Sequence, residues 1–304
     1  MQIRTDLALE ARESIYGVKR ELHGVRVEED IKKEENLFIT RVIIETKNAA
    51  KTMGKPIGTY ITIEAPRMSE PDEAYHREIS ECIAKELKGM LQDENMGKSV
   101  LVVGLGNREV TADALGPSVL DNLMITRHIV KTYGCMAYEK QAVNQVSSIE
   151  PGVMAKTGME TAEIVKGVVK ETNPDLLIVV DALAARSTRR LNRTIQITNT
   201  GIHPGSGVGN HRNAITAESI GVPVFAIGVP TVVDAATIVS DALEKIFHNN
   251  KEIQFLEGID KSEVVFSELN NMYMTGKDID ATIKRVSYTL SEGINIALQV
   301  DGIV

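Results

Sequence analysis

The chain lacks most of the features that mark membrane, secreted or nucleic-acid-binding proteins. Tryptophan is absent and aromatic residues make up only 4% of the 304 residues, so a base-stacking platform is not expected. A net charge of −8 argues against a binder of nucleic acid or of acidic membranes. The two cysteines, Cys82 and Cys135, have no metal-ligand spacing and suggest a reducing compartment. No bilayer-spanning run and no signal peptide is recognisable, which predicts a cytosolic protein.

What the sequence does contain is an alternation of strand-like and helix-like segments. Strands are predicted at 37–45, 58–64, 100–103, 176–181, 194–197 and 222–229. Helices are predicted at 72–91, 117–131, 161–172, 234–247 and 279–298. Strands that alternate with helices indicate βαβ units. The predicted fold is therefore α/β, with a mainly parallel sheet, helices on both faces, and one elaborated domain.

Two of the strand-like runs each lead to an aspartate. The run at 100–104 enters a turn that contains Asp113, and the run at 176–180 is followed directly by Asp181. Because ligands bind beyond the carboxyl ends of parallel strands, both carboxylates are candidates for one site. Paired carboxylates share a proton and activate a water molecule in acid proteases. For either aspartate alone a helix N-cap is the better explanation, so the pairing carries the functional interpretation.

A glycine-rich turn follows the strand at 194–197. It contains His203, Gly205 and Gly207, and glycines of this kind allow backbone amides to converge on an anion or a peptide. The alternative is a surface loop in which the glycines provide flexibility alone. His203 is a candidate general base or metal ligand, and a structural, hydrogen-bonded histidine is the competing interpretation.

The pair Gly104 and Gly106 after a strand also admits a nucleotide-binding interpretation. The dinucleotide fingerprint needs a third glycine where this chain has Glu109. Asp121 has nearly the spacing of the ribose-binding acidic residue, although it lies in a predicted helix and not after a second strand. The Walker A, H-E-x-x-H and G-x-S-x-G motifs are absent. A nucleotide-binding module without hydrolytic activity ranks last among the alternatives.

Taken together, these turns resemble the spore germination protease family, endopeptidases that degrade small acid-soluble spore proteins. The matching stretches are 4–11, 103–107 with 111–117, 181–187, 201–212 and 228–236. The resemblance implies that Asp113 and Asp181 are catalytic. The neutral carboxyl would polarise the scissile carbonyl while the ionised one accepts the proton of a water molecule. The residues expected to support them are Asn107, Arg186, His203, Gly205 and Gly207, with amides of the 205–209 turn stabilising the oxyanion.

The resemblance further implies an inactive precursor that removes its own leader. Residues 5–10 resemble the cleavage motif of the family, with an acidic residue before the cut and Ala and Glu beyond it. Residues 1–6 are therefore predicted to be a propeptide, and residues 7–304 a single peptidase domain, with the cut between Asp6 and Leu7. An exposed terminus would present this segment to the groove. Leu7 would enter an apolar pocket and Glu10 would reach a basic side chain, for which Arg186 is the candidate.

The family resemblance also carries expectations about cofactors, partners and location. The fold is similar to that of hydrogenase maturation proteases, which bind a metal, so a metal hydrolase with Asp113, Asp181 and His203 as ligands is an alternative. Such ligands suit zinc, manganese or nickel. No compact ligand motif is present, and a site without metal or other cofactor is expected. The expected partners are small acid-soluble spore proteins and, in a homotetramer, further copies of the chain, in the spore core.

Overall fold

Nine strands within the described residues form one mixed sheet in the computed structural model. The structure describes residues 5–15, 22–91, 97–139, 142–203, 213–239, 242, 269 and 272–298. The strands are β1 Val25–Lys32, β2 Leu37–Ile44, β3 Gly58–Glu64, β4 Ser99–Gly104, β5 Gln145–Ile149, β6 Leu176–Ala185, β7 Thr194–Thr198, β8 Val224–Asp234 and β9 Tyr273–Met274. Their order is β1-β2-β3-β7-β8-β6-β4-β5, and β9 pairs with β8.

The sheet has a parallel half and an antiparallel half. Strands β8, β6, β4 and β5 pair in parallel, as expected where the crossover connections contain helices. Strands β1, β2, β3 and β7 pair antiparallel with one another, and β7 joins the parallel half by antiparallel pairing with β8. The α/β class is confirmed, and the parallel pairing predicted for the sheet is concentrated in the half that contains the two aspartates.

Helices cover both faces of the sheet, as predicted. They are α1 Ala8–Ile15, α2 Lys47–Met53, α3 Glu73–Leu91, α4 Leu115–Leu120, α5 Arg127–Tyr133, α6 Met154–Thr157, α7 Thr161–Thr172, α8 Ala217–Ile220 and α9 Ile279–Ala297. Helices α3, α4 and α9 pack against one face, over the largest apolar cluster. On the other face, α7 covers the parallel strands, while α1 and α2 cover β2 and β3. None of the helices in the described residues has the length and apolarity needed to cross a bilayer.

The alternation of side chains along each strand decides which residues face the candidate site. Val180 of β6 belongs to the large apolar cluster, so Asp181 points to the opposite face. On β7 both neighbours of Gln196 belong to the same large cluster, so Gln196 also points to the opposite face. The two polar side chains therefore share the face covered by α1, α2 and α7.

The prediction of one helix over 117–131 is wrong, because the chain forms α4 and α5 with a break at 121–126. In the break, the Thr126 amide donates to the carbonyl of Val146 in β5 at 3.1 Å. The Met124 amide donates to Oδ1 of Asn295 in α9 at 3.0 Å. These amides are satisfied by neighbouring elements and not by the preceding helical turn, which interrupts the helix.

Strand β6 is longer than predicted, since it continues past Asp181 to Ala185. The extension pairs with β8, with a register shift between Leu183 and Ala184. Asp181 is consequently inside a strand and not in a turn. At the end of β8, Asp234 caps the following helical turn, because the Thr237 amide donates to its Oδ1 at 2.8 Å. Most of the helix predicted beyond that turn lies outside the described residues.

Candidate active site

Asp181 lies in a row of three residues that crosses three neighbouring strands. It is opposite Gly228 of β8, and Gly228 is opposite Gln196 of β7. Because adjacent strands are about 4.8 Å apart, the Cα atoms of Asp181 and Gln196 are separated by roughly 10 Å. Gly228 has no side chain, and the side chain of Leu183 occupies the space above it. Asp181 is 7% exposed, and its Oδ1 accepts a hydrogen bond from the Ala182 amide at 2.9 Å.

A cavity of about 70 Å³ lies over this row. A cavity of this size has room for a few water molecules. Polar groups from β6, β7, the α2–β3 connection and the N-terminal segment meet there. The lining residues are Asp6, Lys55, Pro56, Tyr60, Asp181, Leu183, Gln196, Thr198, Thr200, Gly201, Ile202, His203, Ala226, Ile227 and Gly228.

Asp113 is held in a tight turn above the end of β4. It ends the 3₁₀ turn Thr111–Asp113, and its carbonyl accepts a hydrogen bond from the Asn107 amide at 3.0 Å. Thr231 of β8 donates its hydroxyl to the carbonyl of Ala112 at 2.6 Å. Gly106 has a φ of +121°, and a Cβ there would lie 1.9 Å from the Asp113 carbonyl oxygen and 3.3 Å from its Oδ1. The turn therefore requires glycine at this position.

The pairing of β4 with β6 brings the Asp113 turn beside the strand that contains Asp181. Gly104 is opposite Val180, and the next amide, that of Leu105, donates to the Val180 carbonyl at 2.8 Å. The residue after Val180 is Asp181, and the residue after Leu105 is the glycine over which Asp113 lies. Both predicted catalytic residues thus belong to the same edge of the parallel half.

Arg108 anchors the turn that carries Asp113. Its guanidinium donates to Asp121 at 2.8 Å, to Glu150 at 2.8 Å and to the Pro117 carbonyl at 3.0 Å. The two carboxylates raise the pKa of Arg108. Asp121 is thus a partner of Arg108 and does not occupy the place of a ribose-binding residue, and the space above the glycine turn is filled by Asp113. The nucleotide-binding interpretation of this turn is wrong for these geometric reasons.

The N-terminal segment lies along the extension of β6. The Asp6 amide donates to the Ala184 carbonyl at 3.0 Å, and the Ala184 amide donates to Oδ2 of Asp6 at 2.9 Å. Leu7 is completely buried in an apolar pocket, as predicted. The residues around it are Leu183, Ala185 and Val233, with Leu191, Ile202 and Ile238 at the margin. The expectation of an exposed terminus is wrong for residues 7–10, because apolar contacts and the polar pocket of Glu10 bury Leu7 and the first turn of α1.

The carbonyl group of Asp6, which belongs to the predicted scissile bond, accepts two side-chain hydrogen bonds. Lys55 donates from Nζ at 2.9 Å, and Gln196 donates from Nε2 at 3.1 Å. Gln196 also accepts at Oε1 from the Ala8 amide at 2.7 Å, so it holds the chain on both sides of the Asp6–Leu7 bond. Burial lowers the pKa of the Lys55 ammonium, while the carboxylates of Asp6 and Glu10 act in the opposite direction.

Glu10 occupies a polar pocket at the other end of the segment. Its carboxylate accepts from the Arg186 amide at 2.7 Å and from the Ser187 amide at 3.0 Å. The guanidinium of Arg190 lies 3.5 Å from Oε1 and also binds Glu13 with two hydrogen bonds. Glu10 is only 3% exposed. Arg186 therefore contributes its backbone amide to this pocket, and Arg190 contributes a positive charge.

The remaining predicted site residues have different positions. Asn107 shapes the Asp113 turn, since its Oδ1 accepts from the Glu109 amide at 3.1 Å. His203 lines the cavity, and burial together with the charge of Lys55 lowers its pKa. Gly205 and Gly207 lie outside the described residues. Within the described part of the chain no three His, Cys, Asp or Glu side chains form a metal-binding group, so the proposed ligands Asp113, Asp181 and His203 are not gathered into one.

Sequence reasoning missed Lys55, Gln196 and Arg190. A signal was present for Gln196, because it is the one long polar side chain in a strand that otherwise consists of Thr and Ile. Lys55 lies between a glycine and a proline in a stretch that reads as a simple connection. Arg190 lies beyond the matching stretch at 181–187. Both residues reach the segment through the tertiary fold and have no local pattern that indicates it.

The fold and the site define an α/β protein that holds its own N-terminal segment beside a cavity lined by a buried aspartate. Residues 4–261 match the family described as germination protease. Germination protease of Caldanaerobacter subterraneus subsp. tengcongensis is 48% identical, over 98% of this chain and 94% of the relative. Those of Clostridium perfringens and Bacillus cytotoxicus are 44% and 37% identical, each over 98% of this chain and 95% of the relative. The chain therefore belongs to the germination protease family, a family of proteases.

Proposed function

We propose that the protein is an endopeptidase that starts the degradation of small acid-soluble spore proteins when spores germinate. The observation that carries the proposal is the docking of residues 5–10, whose Asp6–Leu7 peptide contacts the cavity lined by Asp181. The chain binds its own Asp6, Leu7 and Glu10 at three separate places, and these places are suited to a substrate segment with the same pattern. The resemblance of these six residues to the family's cleavage motif adds the identity of the substrates.

Asp113 and Asp181 are the proposed catalytic pair. Two carboxyl groups that meet in one site share a proton, because the charge of one disfavours ionisation of the other. The ionised carboxylate accepts a proton from the attacking water molecule, and the protonated partner supplies a proton to the leaving nitrogen. The position of the Asp113 turn beside β6 supports this pairing.

We test the catalytic pair with Asp113→Asn and Asp181→Asn. Each variant is expected to lose cleavage of a purified spore protein while its thermal unfolding midpoint stays near that of the wild type. Asp280→Asn, which changes an exposed carboxylate in α9, is the matched control and retains full activity. Near-normal cleavage by either of the first two variants would remove that residue from the mechanism. Full loss of wild-type activity in a chelator, restored by one divalent ion, would favour the metal-hydrolase alternative.

Self-processing is the second part of the proposal. Residues 1–6 are a propeptide, and residues 7–304 are the peptidase domain. Mass spectrometry after mild acidification, which favours a shared proton between the aspartates, should show loss of residues 1–6 from the wild type and an intact terminus in Asp113→Asn. An intact wild-type terminus under conditions in which added spore protein is cut would refute the precursor role. The family resemblance also favours a homotetramer in the spore core, and sedimentation equilibrium would test the tetramer.

A further inference from the structure

We propose that Lys55 and Gln196 are catalytic residues that bind the oxyanion formed during peptide hydrolysis. The inference rests on the proposed function, because it takes the docked Asp6–Leu7 peptide as the bond that is cut. Both side chains already donate hydrogen bonds to the carbonyl oxygen of that peptide, at 2.9 Å and 3.1 Å. Donors that are in place before the reaction stabilise the charge that develops on this oxygen, without a cost for reorganisation.

Lys55 is held where its ammonium group meets the carbonyl. Its backbone follows Gly54, which ends α2 in the left-handed conformation with a φ of +62°, and the Lys55 amide donates to the Ala50 carbonyl at 3.2 Å. On the other side, the Tyr60 hydroxyl donates to the Pro56 carbonyl at 2.9 Å. The connection between α2 and β3 is therefore fixed at both sides of Lys55, which limits the positions that its side chain can adopt.

Gln196 is placed by the centre of the sheet. Its strand pairs with β3 on one side and with β8 on the other, so its backbone position is rigid. The amide group binds the Asp6 carbonyl through Nε2 and the Ala8 amide through Oε1. Gln196 therefore aligns the peptide bond as well as polarising it. Asp181 lines the same cavity as Asp6 and Gln196, and the cavity volume of about 70 Å³ accommodates the attacking water molecule.

The hydrolysis step balances with these residues as donors. The oxygen of water forms a bond with the carbonyl carbon of Asp6, and one proton of the water passes to the ionised carboxylate of the aspartate pair. The carbonyl electrons move onto the oxygen bound by Lys55 and Gln196. When the intermediate collapses, the bond from carbon to the Leu7 nitrogen breaks and that nitrogen takes a proton from the pair. The products are a carboxyl group on Asp6 and a free amino group on Leu7.

The charge of Lys55 makes it the stronger of the two donors. A hydrogen bond from an ammonium group is roughly twice as strong as one between neutral groups, and removal from water strengthens its attraction for an oxyanion. The charged and titratable groups that act on Lys55 are the carboxylates of Asp6 and Glu10 and the imidazole of His203. Burial lowers the pKa of Lys55, and the two carboxylates oppose this by favouring the protonated form, which is the form that donates.

The test compares Lys55→Met and Gln196→Met with the wild-type chain in the self-cleavage reaction. The first-order rate of cleavage at Asp6–Leu7 is measured by intact-mass spectrometry, and docking of residues 5–10 is measured separately by amide hydrogen exchange. We expect Lys55→Met to slow cleavage by about 100-fold or more, with exchange of the docked segment within about fivefold of the wild type. Lys55→Arg should recover part of the rate. Lys51→Met, on the exposed side of α2, is the matched control and cleaves at the wild-type rate.

The outcomes separate the inference from the proposed function. Cleavage of both methionine variants within about threefold of the wild type would overturn the oxyanion role. A loss of rate that only matches a loss of exchange protection would also overturn it, since Lys55 would then act in docking alone. If the wild type cuts spore protein but not its own terminus, the self-processing hypothesis fails and the oxyanion role is tested on spore protein. A normal kcat of Lys55→Met on that protein would then overturn the oxyanion role. A wild type that cuts neither overturns the proposed function and the oxyanion role with it.

Discussion

The pocket for Glu10 gives the most direct prediction about how the segment is recognised. Replacing Glu10 by Gln keeps the shape of the side chain and removes its charge. One amide donor of the pocket, from Arg186 or Ser187, would then face an NH₂ group in place of an oxygen. Arg190 would lose the charge that lies 3.5 Å from its guanidinium. The substitution therefore weakens the docking of residues 5–10 and does not change Asp113 or Asp181.

The size of the effect follows from the burial of Glu10. Hydrogen bonds to charged groups contribute about 1.5–3 kcal/mol each, and a buried group left without a partner costs a similar amount. Loss of one such bond predicts a docking penalty of about 2–3 kcal/mol, which is a factor of roughly 30–150. Glu13 binds the same Arg190, but its side chain is 55% exposed, so Glu13→Gln should cost about 0.5 kcal/mol, less than a threefold change.

Amide hydrogen exchange of residues 5–10, measured by mass spectrometry in the Asp113→Asn background, reports this docking without interference from cleavage. We expect Glu10→Gln to accelerate exchange of the segment by about 30-fold or more and Glu13→Gln to change it by less than threefold. Exchange elsewhere in the sheet should stay unchanged, because only local opening is affected. Equal exchange rates in the two variants would refute the argument that the buried pocket recognises the carboxylate.

Three further predictions concern the close packing at Gly106 and the buried thiol of Cys82. Gly106→Ala should destabilise the protein by about 2 kcal/mol or more and abolish proteolysis, because its Cβ would lie 1.9 Å from the Asp113 carbonyl oxygen. The control is Gly167→Ala in helix α7, where the added methyl group has open space. This variant should be neutral or stabilise the protein by about 0.5–1 kcal/mol. Thermal unfolding and a cleavage assay distinguish these outcomes, and normal activity of Gly106→Ala would contradict the account of the turn. Burial raises the pKa of Cys82 to about 11, so its thiol stays protonated at pH 8. An alkylating reagent at that pH should therefore add one label per native chain, at Cys135. Labelling of Cys82 at the same rate as Cys135 would contradict this prediction. The raised pKa of Cys82 also makes the free energy of unfolding depend on pH. Its contribution is fully present below pH 9.0, the ordinary pKa of the thiol, and is lost as the pH rises toward 11.

The sequence was sufficient to predict the α/β class, most of the strands and the two long helices α3 and α9. These elements have strong periodicity, and their apolar residues recur with the spacing that burial requires. The prediction failed for the helix at 117–131, where Met124 and Thr126 bond to distant elements. A pattern of apolar residues contains no information about a partner that lies 171 positions away, as Asn295 does from Met124.

The residues of the candidate site could be predicted only where a local sequence pattern indicates them. Asp113 and Asp181 follow strand-like runs, and the edge of a parallel sheet is the general location of ligand sites. Lys55 and Arg190 come from connections whose side chains meet the N-terminal segment only after the sheet has formed. The burial of Leu7 also depended on the extension of β6 to Ala185, and the runs of small residues in that extension do not indicate which chain they pair with.

The row formed by Gln196, Gly228 and Asp181 explains why this sheet suits peptide hydrolysis. Side chains in one row across adjacent strands point to the same face, so a donor and a carboxylate two strands apart line one cavity. The intervening residue has to be small, and a Cβ at Gly228 would lie 2.5 Å from the side chain of Leu183, which lines the same cavity. The glycine thus keeps the adjacent apolar pocket in place. In the proposed mechanism, the register of these three strands brings the donor Gln196 and the carboxylate of Asp181 to one cavity beside the Asp6–Leu7 peptide.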